Sequence, residues 1–140
     1  LKNIPTWLPV VAAAFCDEND RWLMHKRPPN KAHAGLWEFP GGKVEEAEVP
    51  ENALFREIRE ELGVTIVSEN CTPLGFAQEP SQESTTPIVI LLYKVTAWEG
   101  ELAALEGGEV GWFSPQEVLK LAKPPLDCAL ADQLFTKVAN

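Results

Sequence analysis

Three glutamates, Glu57, Glu60 and Glu61, stand at i, i+3 and i+4, a spacing that on a helix makes them neighbours on one flank about 5 to 6 Å apart. Ionised together they repel. At an effective dielectric near 20 and a separation of about 6 Å, each adjacent pair costs on the order of 3 kcal/mol before relaxation and salt screening. A Glu-rich helix flank is usually solvated surface. Clustered carboxylates are also the ligands that a hard cation such as Mg²⁺ or Mn²⁺ prefers, and Gly41-Gly42 ahead of the helix offers backbone carbonyls that no side chain screens. Seven acids, Glu45, Glu46, Glu48, Glu51, Glu57, Glu60 and Glu61, fall between Gly42 and Val64. That segment is where chemistry is expected.

The helix that must carry them reads PENALFREIREELG from Pro50 to Gly63, with proline first, acids early and glycine just past the end. Leu54, Ile58 and Leu62 recur at four-residue spacing and give it a stripe to bury. Upstream, VVAAAFC (Val10 to Cys16), the polar cluster Asp17 to Asp20 and then RWLMHKR predict a hairpin. After the Pro-rich stretch Pro28 to Ala34 comes LWEFPGGK, where Pro40-Gly41-Gly42 is expected to break any regular element and form a shaped loop. PIVILLYKV is nearly continuous and β-branched, as a central strand buried on both faces should be, and VGWFS reads as a shorter strand. Ser114-Pro115-Gln116-Glu117 predicts a capping box that opens a second helix, and a third follows Pro124-Pro125 to about Val138. Strands interspersed with three helices predict a mixed β-sheet covered on its faces, an α/β/α sandwich, in one domain spanning 1–140.

From Gly42 to Val64 the chain reads GKVEEAEVPENALFREIREELGV. This resembles the Nudix box, G-x5-E-x7-R-E-U-x-E-E-x-G-U with U aliphatic: Gly42, Glu48, Arg56, Glu57, Ile58, Glu60, Glu61, Gly63 and Val64 fill every specified position. The resemblance implies a loop-helix-loop that binds Mg²⁺, with Mn²⁺ able to substitute, through Glu57, Glu60, Glu61 and the Gly41 carbonyl. It also makes Glu57 the general base, with that duty shared among the three glutamates. By the same analogy Gly42, Glu48, Arg56 and Gly63 support the shape of the box, although Arg56 can also pair with Glu60 one turn on.

The approach HKRPPNKAHAGLWEFPGGKVE and the last third, AWEGELAALEGGEVGWFSPQEV and PPLDCALADQL, are similar to MutT-type enzymes. Those hydrolyse nucleoside triphosphates, notably 8-oxo-dGTP, to a monophosphate and pyrophosphate, a step in sanitation of the nucleotide pool and so in DNA repair. The likeness implies Glu106 as a further metal ligand and Arg27, Glu38, Phe39, Pro40 and Asp127 as neighbours of the nucleotide. Each has a plainer reading: Glu106 as a solvated loop acid, Arg27 as the partner of an acid, Phe39 as core, Asp127 as the N-cap of the last helix. Two features depart from the pattern. Some MutT-type enzymes carry Asn where this chain has Asp127, and the segment 78–86 has no Arg. Pro80, 16 residues past Val64, matches a spacing associated with ADP-ribose hydrolases and is read as coincidence. Other Nudix specificities (CTP or dCTP, ADP-ribose, an RNA 5′ end) would keep the box and change the pocket. A non-catalytic nucleotide-binding module would be expected to have lost one of the glutamates.

Composition bounds the partners. A formal net charge of −9 argues against a nucleic-acid surface built from basic residues, so an anionic substrate would need cations as intermediaries. The longest apolar runs fall short of the roughly 20 residues that span a bilayer, and no secretory signal is visible in the sequence. Cys16, Cys71 and Cys128 form no CxxC pair and read as reduced thiols of a cytoplasmic protein. The expected partner is a small nucleotide, with no membrane and no stable nucleic acid, and the chain acts as a monomer or a homodimer.

Overall fold

The computed structural model describes residues 6–79 and 86–136. Its centre is a strand, β1 (Leu8–Phe15), whose small residues are buried on both faces. The side chains of β1 alternate: Val11, Ala13 and Phe15 enter one core, Ala12 and Ala14 the other. The same division runs through β2 (Trp22–Lys26), where Leu23 faces the first core and Trp22 and Met24 the second. The first core is closed by α1 (Pro50–Leu62), the second by α2 (Pro115–Lys120) and α3 (Pro125–Phe135). The expected α/β/α sandwich is therefore what forms.

The mixed sheet has the order β4-β1-β7-β6, with β4 at Gly41–Lys43, β6 at Cys71–Gln78 and β7 at Ile88–Val95. Strand β7 runs parallel to β1 from Leu8↔Ile88 to Phe15↔Val95 and lies between β1 and β6, the central place that the sequence predicts for it without naming its neighbours. A second, antiparallel sheet has the order β3-β2-β9, with β3 at Trp37–Glu38 and β9 at Glu109–Phe113, and β5 (Thr65–Ile66) pairs with β8 (Trp98–Glu99). Among the described residues no helix is long and apolar enough to cross a membrane.

Helix α1 has the predicted limits. Pro50 opens it, and Gly63 ends it at φ 77°, where its N–H donates to the Arg59 carbonyl. Ala53, Leu54, Ile58 and Leu62 are buried, and the three larger side chains contribute about 1.5–3 kcal/mol each by leaving water. The box predicted at Ser114 and Glu117 is also present, with each side chain bonded to the other residue's backbone N–H.

Three local expectations need correction. The turn after β1 forms as read, with Asp17 Oδ1 accepting from the Asn19 and Arg21 N–H groups. Pairing then stops at one bridge, Cys16↔Trp22, and β2 joins the other sheet, so no hairpin follows. Apolar alternation gives a strand its faces but not its neighbour. Pro40-Gly41-Gly42 does not keep the chain irregular either, since Gly41–Lys43 pairs antiparallel with β1. Gly41 is what permits that pairing, because a Cβ there would collide with the Val11 carbonyl. Finally, α3 begins at Pro125, with Pro124 as its N-cap, and ends at Phe135; Val138 lies outside the described residues, as does Pro80.

Replacing Gly41 with alanine forces β4 away from β1 backbone that cannot yield. Gly41→Ala should cost about 1–3 kcal/mol or more, read as a lower urea midpoint; an unchanged midpoint would show that the strands can part there without penalty.

Candidate active site

Packing of Leu54, Ile58 and Leu62 into the first core turns the opposite flank of α1 outward, so that Glu57 and Glu61 are half-buried and Glu60 is exposed. Arg56 sits among them. Its Nε and Nη2 grip Glu48 at 2.9 and 3.0 Å, Nη2 also reaches the Lys43 carbonyl at 3.0 Å, and Nη1 donates to Glu57 Oε2 at 3.1 Å and Glu60 Oε1 at 3.2 Å. One guanidinium thus ties the loop before the helix to two of its carboxylates, a bidentate geometry that Lys cannot reproduce. Glu48 in turn accepts from the Glu45 N–H at 2.9 Å.

Strand β4 lies directly against this flank. The Gly41 N–H donates to Glu61 Oε1 at 3.2 Å, and a Cβ on Gly42 would occupy the position of the Glu57 carboxyl. On the far side of Glu61, His25 is 3% exposed, and ligating atoms of His25, Glu38 and Glu61 lie within 4.8 Å of one another. His25 Nδ1 is 3.1 Å from Glu38 Oε2 and Nε2 is 3.0 Å from the Gly107 carbonyl, while Arg27 Nη1 donates to Glu38 Oε1 at 2.8 Å.

Burial without a matching cation leaves these acids hard to ionise. Desolvation raises Glu61 to about 7, against the opposing pull of His25 and the Gly41 N–H and with help from the Glu38 and Glu57 charges. Glu57 is raised too, first by burial and then by the charges of Glu60 and Glu106, while Arg56 works against the rise. His25 would be lowered by burial, but Glu38, the Gly107 carbonyl and Glu61 outweigh it and raise it. Glu48, held by Arg56, is lowered.

The structure brings Gly41, Gly42, Glu48, Arg56, Glu57, Glu60 and Glu61 together around one end of the sheet. Gly63 closes the helix that carries the acids, and Glu106 is exposed on the loop between β8 and β9. Arg27 does pair with an acid, Glu38, and both Glu38 oxygens are engaged. Phe39 and Pro40 are buried, Phe39 within the second core. Asp127 is not the N-cap of α3: it is buried in the first turn, and its Oδ2 accepts the Phe39 N–H at 2.9 Å. Burial raises Asp127 to about 7, although the Phe39 N–H opposes this. Sequence reasoning passed over His25. Its trace was a polar residue at the position where β2 should present a core side chain beside Leu23.

A NUDIX domain model matches residues 6–133. An 8-oxo-dGTP diphosphatase of Proteus vulgaris is 35% identical over 100 residues, 71% of this chain and 86% of that protein. A CTP pyrophosphohydrolase of Escherichia coli K12 is 36% identical over 123 residues, 87% of each. A solved MutT, from work on Aliivibrio salmonicida and Vibrio cholerae, superposes with a TM-score of 0.80 at 27% identity, over 95% of this chain and 100% of that one.

The raised acids make stability depend on pH with a definite sign. Glu61 and Asp127 stay protonated in the folded chain up to about 7 but ionise in the unfolded chain near the ordinary values of 4.5 and 3.8. Their stabilising contribution is complete below those unfolded values and is lost as pH rises toward 7, by up to about 1.4 kcal/mol per pH unit for each group. Urea unfolding in EDTA should therefore give lower stability at pH 7 than at pH 5, and Glu61→Gln and Asp127→Asn should each flatten the slope. A flat profile in the unmodified protein would contradict the burial of both acids.

Proposed function

The chain belongs to the NUDIX domain family and is a Nudix hydrolase, and from that premise we propose that it hydrolyses a (deoxy)nucleoside triphosphate to the monophosphate and pyrophosphate, with oxidised guanine nucleotides such as 8-oxo-dGTP as its best substrates. The observation that carries the chemistry is the open carboxylate flank of α1: half-buried acids with raised affinity for protons, and glycine backbone where side chains would block access. That is an all-oxygen donor set in which one guanidinium, Arg56, is shared among several acids, and it fits Mg²⁺ or Mn²⁺. Glu57, Glu60, Glu61, Glu106 and the Gly41 carbonyl would hold it. When bound, the ion neutralises phosphate charge and makes water a better nucleophile.

The residues of the chain do the rest. Glu57 Oε2 is held on Arg56, which leaves Oε1 to take the proton from the attacking water, and burial raises the affinity of Glu57 for protons in the direction a general base requires. Arg27, held on Glu38 and the Ala32 carbonyl, would stand as a cation beside the nucleotide. Asp127 spends one oxygen on the Phe39 N–H and meets the base with its remaining capacity. As a carboxylate it only accepts, which suits the adjacent N1–H and 2-amino donors of guanine. As an acid it can also donate, which suits the N3 acceptor beside the amino group of cytosine. A second reading, hydrolysis of CTP or dCTP, is favoured by that property and by the likeness to the E. coli CTP pyrophosphohydrolase.

Three measurements test this. Glu57→Gln should lower kcat by roughly 10² to 10⁴, with activity lost in EDTA and restored by Mg²⁺ or Mn²⁺; a variant keeping more than a tenth of the rate moves the base role elsewhere. In a pyrophosphate-release panel ranked by kcat/KM, 8-oxo-dGTP and dGTP should lead, and Asp127→Asn, whose amide oxygen can still accept the Phe39 N–H, should lower them by roughly 10-fold or more while dCTP loses less. The guanine-to-cytosine ratio should also rise between pH 6 and pH 8, as Asp127 loses its proton near 7. Were CTP or ADP-ribose to outrank every guanine nucleotide, the oxidised-guanine reading would be withdrawn.

A further inference from the structure

Glu106 lies on an exposed loop, a poor place from which to hold anything, yet its charge is felt at Glu57. The backbone around it explains why. The N–H of Leu105, one residue before, donates to the Glu61 carbonyl at 2.9 Å, and the carbonyl of Gly107, one residue after, faces His25 Nε2 at 3.0 Å. Gly107 and Gly108 have φ of 98° and 85°, and a Cβ on Gly108 would collide with the Lys26 carbonyl and come within 3.0 Å of His25 Nε2. The loop is thus pressed onto β2 at the point where His25 stands, and between the Leu105 anchor and the pairing of Glu109 with Lys26 the contact with His25 is what fixes the Gly107 peptide that follows Glu106.

His25 also faces the other way. Its Nδ1 meets Glu38 Oε2, and Glu38 is already bonded by Arg27. A backbone carbonyl and a carboxylate paired with Arg can only accept, so both ring nitrogens donate. We propose that His25 is a positioning residue: its Nε2–H on the Gly107 carbonyl holds Glu106 opposite Glu57, while its Nδ1–H on Glu38 keeps the Arg27 side of the site in register with it. This rests on the reading of Glu106 as a metal ligand, and it concerns a residue outside the Nudix box.

Asparagine and glutamine divide the two contacts, because the Asn amide nitrogen replaces Nδ1 and that of Gln replaces Nε2. The test is Mn²⁺ binding to the free protein, followed by electron paramagnetic resonance, in the wild type, Glu106→Gln, His25→Asn, His25→Gln and the double variant His25→Asn/Glu106→Gln. Glu106→Gln and His25→Asn should each weaken binding about 10-fold, His25→Gln should stay within about 3-fold of wild type, and the double variant should bind no more weakly than Glu106→Gln alone. Undiminished binding in Glu106→Gln would remove Glu106 as a ligand and the proposal with it. Weakened binding in Glu106→Gln with intact binding in His25→Asn would overturn only the positioning role, as would equal losses in the Asn and Gln variants. Should the variants fail to fold, a nitrogen-resolved spectrum of the wild-type imidazole decides: a proton on Nε2 supports the contact with Gly107, and a bare Nε2 overturns it.

Discussion

Carboxylates crowded on one flank of a helix repel, and the surroundings of α1 are arranged around holding them there. The hydrophobic stripe of Leu54, Ile58 and Leu62 fixes which way the flank points. Arg56 then offsets part of the repulsion while joining Glu57 and Glu60 to Glu48 in the preceding loop. The compensation is incomplete by construction: one guanidinium serves several acids, and β4 covers Glu61 with backbone, whose N–H dipole is a weak substitute for a cation. Proton affinity rises where the charge is left over. A site in this state costs stability without a ligand and gains most from a small, hard cation.

What the sequence made legible follows the range of the interactions concerned. The limits of α1 and the cap of α2 depend on residues within one turn of each other, so Pro50, Gly63 and the Ser114–Glu117 box could be read directly. The carboxylate flank is equally local. Strand partners are not: β2 follows β1 by a tight turn but pairs with β3 and β9. Strand β6 escaped notice because Pro73, Gly75 and a run of exposed residues spoil its alternation, and the register shifts between Pro73 and Gly75. The role of His25 was invisible for the same reason, since its partners lie 13 and 82 residues away.

The two hydrophobic cores meet the site through one short segment. Trp37–Glu38 belongs to the second sheet and Gly41–Lys43 to the first, so Phe39-Pro40 is the crossing between them. Phe39 anchors the crossing in the core under α3, and its N–H is satisfied by Asp127 of that helix. An unpaired buried N–H would be expensive. Asp127 therefore has a structural duty whatever base it meets, which is why an aspartate so poor in solvent is tolerated there. The same hydrogen bond couples the helix that would line the base to the strand that covers the carboxylates.

This division has a consequence for specificity. The part proposed to carry hydrolysis is written in 23 consecutive residues whose side-chain ties are largely local, with Gly41 and the Glu106 loop adding contacts from outside. The part that would read the base is assembled from the end of β2, the 37–40 crossing and the start of α3, segments far apart in the chain, and its hydrogen-bonding pattern turns on whether one buried carboxyl carries a proton. Relatives can share the first part and diverge in the second with few substitutions. Identity in the mid-thirties to an 8-oxo-dGTP diphosphatase and to a CTP pyrophosphohydrolase is then the expected condition of such a chain. On the proposed reading, the choice between the two for this chain would rest on the protonation of Asp127 against the edge of the base, where a single mismatched lone pair is worth about 1–3 kcal/mol, roughly a 5- to 150-fold preference.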